Sequence, residues 1–144
     1  MREPPALPHR WPFRFVDVVV QRSGETGERT GRRGTAVTQI TSGGRACAGG
    51  EWGSTAILAE ALAQAALATA GGGGEEPKET GVYLAGIQGF EASRPPLAGE
   101  TLSIDVALTA AFGKVARFDG VIRAGEETLA RGSILVSRSA GPEA

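Results

Sequence analysis

The chain has 144 residues, enough for a single domain with a substantial core. Its 15 basic and 16 acidic side chains nearly cancel, which argues against a nucleic-acid or membrane-surface partner. Cys47 is the single cysteine and His9 the single histidine, so neither an intrachain disulfide nor the usual metal cage can be built, and no cofactor is implied.

Met1 to Pro8, with Pro4, Pro5 and Pro8, reads as an extended lead-in over about residues 1–10, and it has no apolar core of the kind a signal peptide carries. Phe13 to Val20 (FRFVDVVV) is β-branched and aromatic and predicts a strand. Gln21 to Gly31, with Gly24 and Gly27 among Ser, Glu and Thr, predicts an exposed turn. Arg32 to Thr41 alternates as a second strand pairing back as a hairpin, and Ser42 to Gly53 (SGGRACAGGEWG) is a glycine-rich loop of the sort that carries sites.

Ser54 to Ala70 (STAILAEALAQAALATA) is the element around which the chain is organised. Ala and Leu favour helix, Ser54 is a good N-cap, and Gly71 to Gly74 end the run. Nearly every face is apolar, so the helix is expected to be buried rather than amphipathic, and Glu60 with Gln64 one turn later argues against a membrane span. Glu60 is its one ionisable side chain. A carboxylate on a buried helix is costly unless it is protonated, hydrogen-bonded or used, which makes Glu60 the leading candidate for function.

After a connector over Gly71 to Thr80 come four strand-like runs: Gly81 to Glu91, Thr101 to Leu108, Val115 to Arg123 and Thr128 to Ser137. In the second of these, Leu102, Ile104, Val106 and Leu108 share one face and Ser103 and Asp105 the other. Ala124 to Glu127 reads as the turn between the last two runs, and about 138–144 as a polar tail. Two strands, one long helix and four antiparallel strands describe an α+β domain spanning residues 1–144, a sheet curled around a single helix.

Four motifs in order carry a family resemblance. Leu7-Pro8-His9-Arg10-Trp11-Pro12-Phe13 with Val16-Asp17 resembles the LPHRYPF…VD opening of hotdog-fold 3-hydroxyacyl-acyl-carrier-protein dehydratases. Glu60-Ala61-Leu62-Ala63-Gln64 is similar to their central-helix EAxAQ, Tyr83 to Ile87 to their YFAGID strand, and Pro96 to Leu102 to their VxPGDxL turn. The resemblance implies a hotdog fold, a dimer whose strands continue across the interface, and an acyl thioester of acyl carrier protein or coenzyme A as substrate. By position, it makes Glu60 the carboxylate that protonates the departing 3-hydroxyl. Gln64 and Thr55 become substrate-binding neighbours, with the Thr55 amide at the helix N-terminus facing the thioester carbonyl.

The sequence departs from the family at the general base. The family places a histidine fourteen residues before the glutamate, in a proline-rich loop; here that position is Ala46, within Arg45-Ala46-Cys47-Ala48, and the prolines are absent. His9 lies in a motif the family fills while keeping its catalytic histidine elsewhere, so it reads as structural. Cys47 reads as a small buried filler, Trp52 as either a wall of the substrate channel or a staple of the loop to the core, Ala46 and Gly53 as substrate-binding positions, and the arginines, Arg94 included, mostly as a solvated face.

Three activities are compatible with this pattern. One is a 3-hydroxyacyl-thioester dehydratase of fatty-acid or polyketide-type synthesis. Another is a thioesterase using Glu60. The third is a non-catalytic acyl-binding subunit that pairs with an active paralogue, like the dehydratase-related subunits of aryl-polyene gene clusters. The chain is expected to be cytoplasmic, and a homodimer or a heterodimer with a dehydratase paralogue.

Overall fold

The computed structural model describes residues 18–23, 32–40, 55–70 and 82–138. They form β1 (Val18–Ser23), β2 (Arg33–Gln39), α1 (Ala56–Ala70), β3 (Val82–Ala92), β4 (Thr101–Phe112), β5 (Val115–Ala124) and β6 (Glu127–Arg138). The strands make one antiparallel sheet in the order β1-β2-β4-β5-β6-β3, and α1 packs on one face of it. This is the α+β arrangement of one helix against a wrapped sheet.

The helix is buried as its composition requires. From Ala61 to Thr69 every side chain is buried, while Ala56, Ile57, Ala59 and Glu60 near its start reach the surface. Leu58, Leu62 and Leu67 meet the inward row Leu102, Ile104, Val106 and Leu108 of β4, together with Phe118, Ile122, Leu129 and Ile134 from β5 and β6. Strand alternation on β4 therefore follows the sequence pattern, with Ser103 and Asp105 facing outward.

Two glycines set how closely helix and sheet approach. A Cβ on Gly34 of β2 would collide with the Thr69 side chain, and one on Gly120 of β5 would collide with Leu62. Thr69 turns its hydroxyl back along the helix, donating to the Ala65 carbonyl at 2.9 Å, so its polar atom is satisfied inside the core.

Several boundaries differ from the sequence expectation. Gln21 to Ser23, read as the start of a turn, continue β1 and pair with Thr35, Gly34 and Arg33. Ladder pairing here overrides a weak local propensity. β4 runs on to Phe112, four residues past Leu108, because Ala110 to Phe112 pair with Arg117 to Val115 in a hairpin that turns at Gly113-Lys114. The last turn is the narrower Gly125-Glu126, with Ala124 and Glu127 paired in the ladder. The expected strand residues 13–17, the cap Ser54 and the terminal segments lie outside the described residues.

Arg94, read from sequence as part of a solvated face, is instead a clamp. Its guanidinium holds the Glu100 carboxylate through two hydrogen bonds of 2.8 Å and the Glu127 carboxylate through bonds of 2.9 and 3.2 Å. The Leu97 amide also donates to Glu100, at 2.6 Å. These bonds pull the Glu100 carboxyl well below its usual range, to about 2. The turn is fastened to β2 as well, since Gly99 N–H donates to Ile40 C=O at 2.8 Å and Ile40 N–H to Glu100 C=O at 2.9 Å. The chain thus leaves β2 from a fixed point on its way to α1.

Candidate functional site in the first turns of the helix

Glu60 lies in the second turn of α1, half-buried, where the helix passes from the exposed first turn into the core. Gln64 is one turn further in and fully buried. Its Nε2 donates to Glu60 Oε1 at 3.1 Å. The i, i+4 relation read from the sequence is therefore a real contact. Thr55, immediately before α1, is half-buried and its carbonyl accepts the Leu58 amide at 3.1 Å, which places Thr55 in the capping turn. Ala46, Trp52 and Gly53 lie outside the described residues, as do His9 and Cys47.

The chemistry this arrangement offers is limited and specific. The carboxylate can give or take a proton, the amide beside it cannot titrate, and the N-terminal end of a 15-residue helix supplies a positive dipole end. Ala63 and Ala66 are closed into the core against the sheet, whereas Ala59 is partly open. Among the described residues no cluster of three or more His, Cys, Asp or Glu can hold a metal, and no helix is long and apolar enough to cross a membrane.

Beside the helix, the sheet ends at β3, whose second edge has no partner among the described residues. Leu84 and Ile87 pair with Val136 and Ile134, which are buried, so both point to the helix side of the sheet. They nevertheless remain 43% and 42% exposed, and Tyr83 on the outer face 59%. The sequence predicts a strand here, but the exposure of its inward side chains was not legible there. Only the strand order reveals it.

A groove of about 520 Å³ crosses the outer face of β2, β4 and β5, on the far side of the sheet from the helix. Its carboxylates are occupied. Asp105 accepts from Thr35 at 2.7 Å and Arg123 at 3.2 Å, and Asp119 from Ser133 at 2.7 Å and Arg117 at 3.2 Å. Exposed pairs of this kind order a sheet surface and offer no reactive group.

Comparison with known proteins settles the lineage. A 3-hydroxyacyl-[acyl-carrier-protein] dehydratase FabZ of Paracidovorax citrulli is 33% identical over 136 residues, covering 90% of this chain and 88% of that protein. The chain belongs to the FabZ dehydratase family. A FabZ of Anaeromyxobacter dehalogenans is 34% identical over 131 residues, again covering 90% of this chain and 83% of the relative. No family model matches.

Solved structures show the same fold. The dehydratase heterocomplex ApeI:P from Xenorhabdus doucetiae superposes with a TM-score of 0.71 at 19% identity, covering 96% of this chain and 93% of that one. The F36A mutant of the fluoroacetyl-CoA-specific thioesterase FlK gives 0.66 at 14% identity over 80% of this chain and 90% of that one. The fold is a hotdog, as the motifs imply, and the protein is a dehydratase-like FabZ relative. At these identities the structural likeness speaks for the fold alone, so the kinship with FlK does not argue for hydrolysis.

Proposed function

We propose that this chain acts on 3-hydroxyacyl and 2-enoyl thioesters carried by acyl carrier protein or coenzyme A, with Glu60 as its proton-transferring carboxylate. The observation that carries the reading is a half-buried carboxylate on an otherwise apolar helix, held by Gln64, in a chain of FabZ lineage. In dehydration the C2–H bond breaks, the C2–C3 double bond forms and the C3 hydroxyl departs. Glu60 gives its proton to that hydroxyl, which leaves as water, and the C2 proton passes to a base. Amides at the Thr55 end of α1 offset the charge that grows on the thioester oxygen.

The base is the unusual part. Alanine cannot take a proton, and Ala46 occupies the position where the resemblance places it. A second hotdog chain is the source in this reading. It pairs with the edge of β3 that has no partner among the described residues and covers Leu84 and Ile87, bringing its own side chains to the helix-facing side of the sheet. The partner is either a second copy or a dehydratase paralogue, and Ala46 favours the paralogue. An exposed strand edge carrying large apolar side chains is the usual mark of such pairing.

The test is a mass-spectrometric assay of the chain, alone and co-expressed with a dehydratase paralogue, with 3-hydroxyacyl and 2-enoyl pantetheine thioesters of several lengths, following free acid as well as interconversion. Hydration or dehydration that disappears in Glu60→Gln, with unchanged melting, is the expected result. Release of free acid would make the protein a thioesterase. Ligand retention without any product would make it a binding subunit.

A further inference from the structure

The ladder between β3 and β6 is interrupted twice, and the second interruption depends on two glycines. Gln88 pairs with Ser133 and Glu91 with Arg131, so Gly89 and Phe90 together face the single residue Gly132. Gly89 takes the left-handed conformation, at φ 60°, and the bulge turns Phe90 onto the helix side of the sheet. There the ring needs the second glycine. A Cβ on Gly132 would come within 3.1–3.3 Å of the Phe90 backbone and ring. Gly132 pairs with Gly120, over which Leu62 lies, so Phe90 is seated on the ladder position next to the helix. The helix-side row of β3 is thus Leu84, Ile87 and Phe90. Leu84 and Ile87 stand open, whereas Phe90 is half-buried and packed against the core. The row forms an apolar strip that stops at Phe90. Measured along β6, from Val136 opposite Leu84 to Gly132 beneath Phe90, it is about 13 Å long at the usual strand rise. Filling a core asks for neither a bulge nor a left-handed residue, but re-aiming one side chain beside a site is what such bulges do.

We propose that Phe90 determines acyl-chain length: the acyl chain of the thioester lies along Leu84 and Ile87, and the Phe90 ring closes the inner end of that strip. The inference rests on the thioester reading given above, with the partner chain as the opposite wall. The strip suits a hydrocarbon chain because its inward side chains are apolar and uncharged. It suits an end-stop because the ring is fixed from behind by Gly132 and cannot retreat through the sheet.

The test uses the full chain, alone and co-expressed with a dehydratase paralogue, and reads binding separately from turnover. Hexanoyl, decanoyl and tetradecanoyl pantetheine, which have no hydroxyl to lose, are titrated by calorimetry into the natural chain, Phe90→Ala and Phe90→Leu. The natural chain is expected to bind the tetradecanoyl thioester more weakly than the decanoyl one. Phe90→Ala is expected to shift that ratio toward the longer chain about tenfold or more, the scale of a methylene or two gained in an apolar pocket. Phe90→Leu should shift it less and in the same direction, and it keeps a core side chain should Ala fail to fold. In turnover, the kcat/KM ratio of long to short 3-hydroxyacyl substrates should move the same way. A residue that only packs would lower the melting temperature and change every length alike, and that outcome would overturn the proposal. An unchanged length profile would also overturn it, leaving the strip to the partner's side chains. A shifted binding profile together with equal turnover by the natural chain and Glu60→Gln would uphold Phe90 while removing Glu60. Binding at none of the three lengths, in either preparation, would overturn the strip and the thioester reading together.

Discussion

Gly120 of β5 lies so close beneath Leu62 of α1 that no Cβ fits between them, and Val106 closes the same space from β4. Helix and sheet are therefore in contact through the backbone of β5 at this point. Gly120→Ala is expected to destabilise the domain by about 1–3 kcal/mol, the usual cost of overpacking a closed core. Chemical denaturation would show the midpoint falling at unchanged slope. Combining it with Leu62→Ala should cost less than the sum of the two changes, because the second removes the atoms with which the first collides.

Acid should loosen the turn between β3 and β4. The Glu100 carboxyl sits at about 2 in the folded chain against 4.5 for the free group, because Arg94 and the Leu97 amide bind its charged form. The folded state thus holds fewer protons on this group than the unfolded state does between those values. Its contribution is complete above about pH 4.5 and is lost as pH falls through about 2. Thermal melting from pH 6 down to pH 2 should show a shallower acid decline in Glu100→Gln than in the natural chain. An identical decline would show that the clamp does not couple to stability.

The edge of β3 that has no partner among the described residues gives a test of assembly. Leu84→Lys with Ile87→Lys places two charges on side chains already 43% and 42% exposed in the single chain, so the isolated domain should tolerate them. Light scattering after size exclusion is expected to show a dimer for the natural chain, with itself or with a co-expressed dehydratase paralogue, and a monomer for the variant under both conditions. A dimer in both would move the interface elsewhere.

Restoring a base should raise turnover. General-base catalysis contributes about 10²–10⁴-fold in favourable geometry, so Ala46→His is expected to raise dehydration about tenfold or more, with a new pH dependence near neutrality. If dehydration by Ala46→His equals that of the natural chain, the base is already present by another route, and the partner chain is the place to seek it.

Much of the architecture is legible in the sequence because it is written in local periodicity. The alternation of Leu102, Ile104, Val106 and Leu108 and the all-round apolar helix each specify burial without reference to any distant residue. Glu60 stands out for the same reason, as the one charge on that helix, and Gln64 falls beside it by helical spacing alone. What the sequence does not contain is the order of the strands. Placing β3 at the sheet edge, next to β6 and away from β2, is a long-range choice, and it alone exposes Leu84 and Ile87 on the helix side. The Arg94 clamp is equally nonlocal, since Glu127 comes to it across 33 residues of chain. Local propensity determines which residues are buried; only the closing of the sheet decides which strand lies at its edge among the described residues and which charges meet, because those depend on contacts that no short window contains.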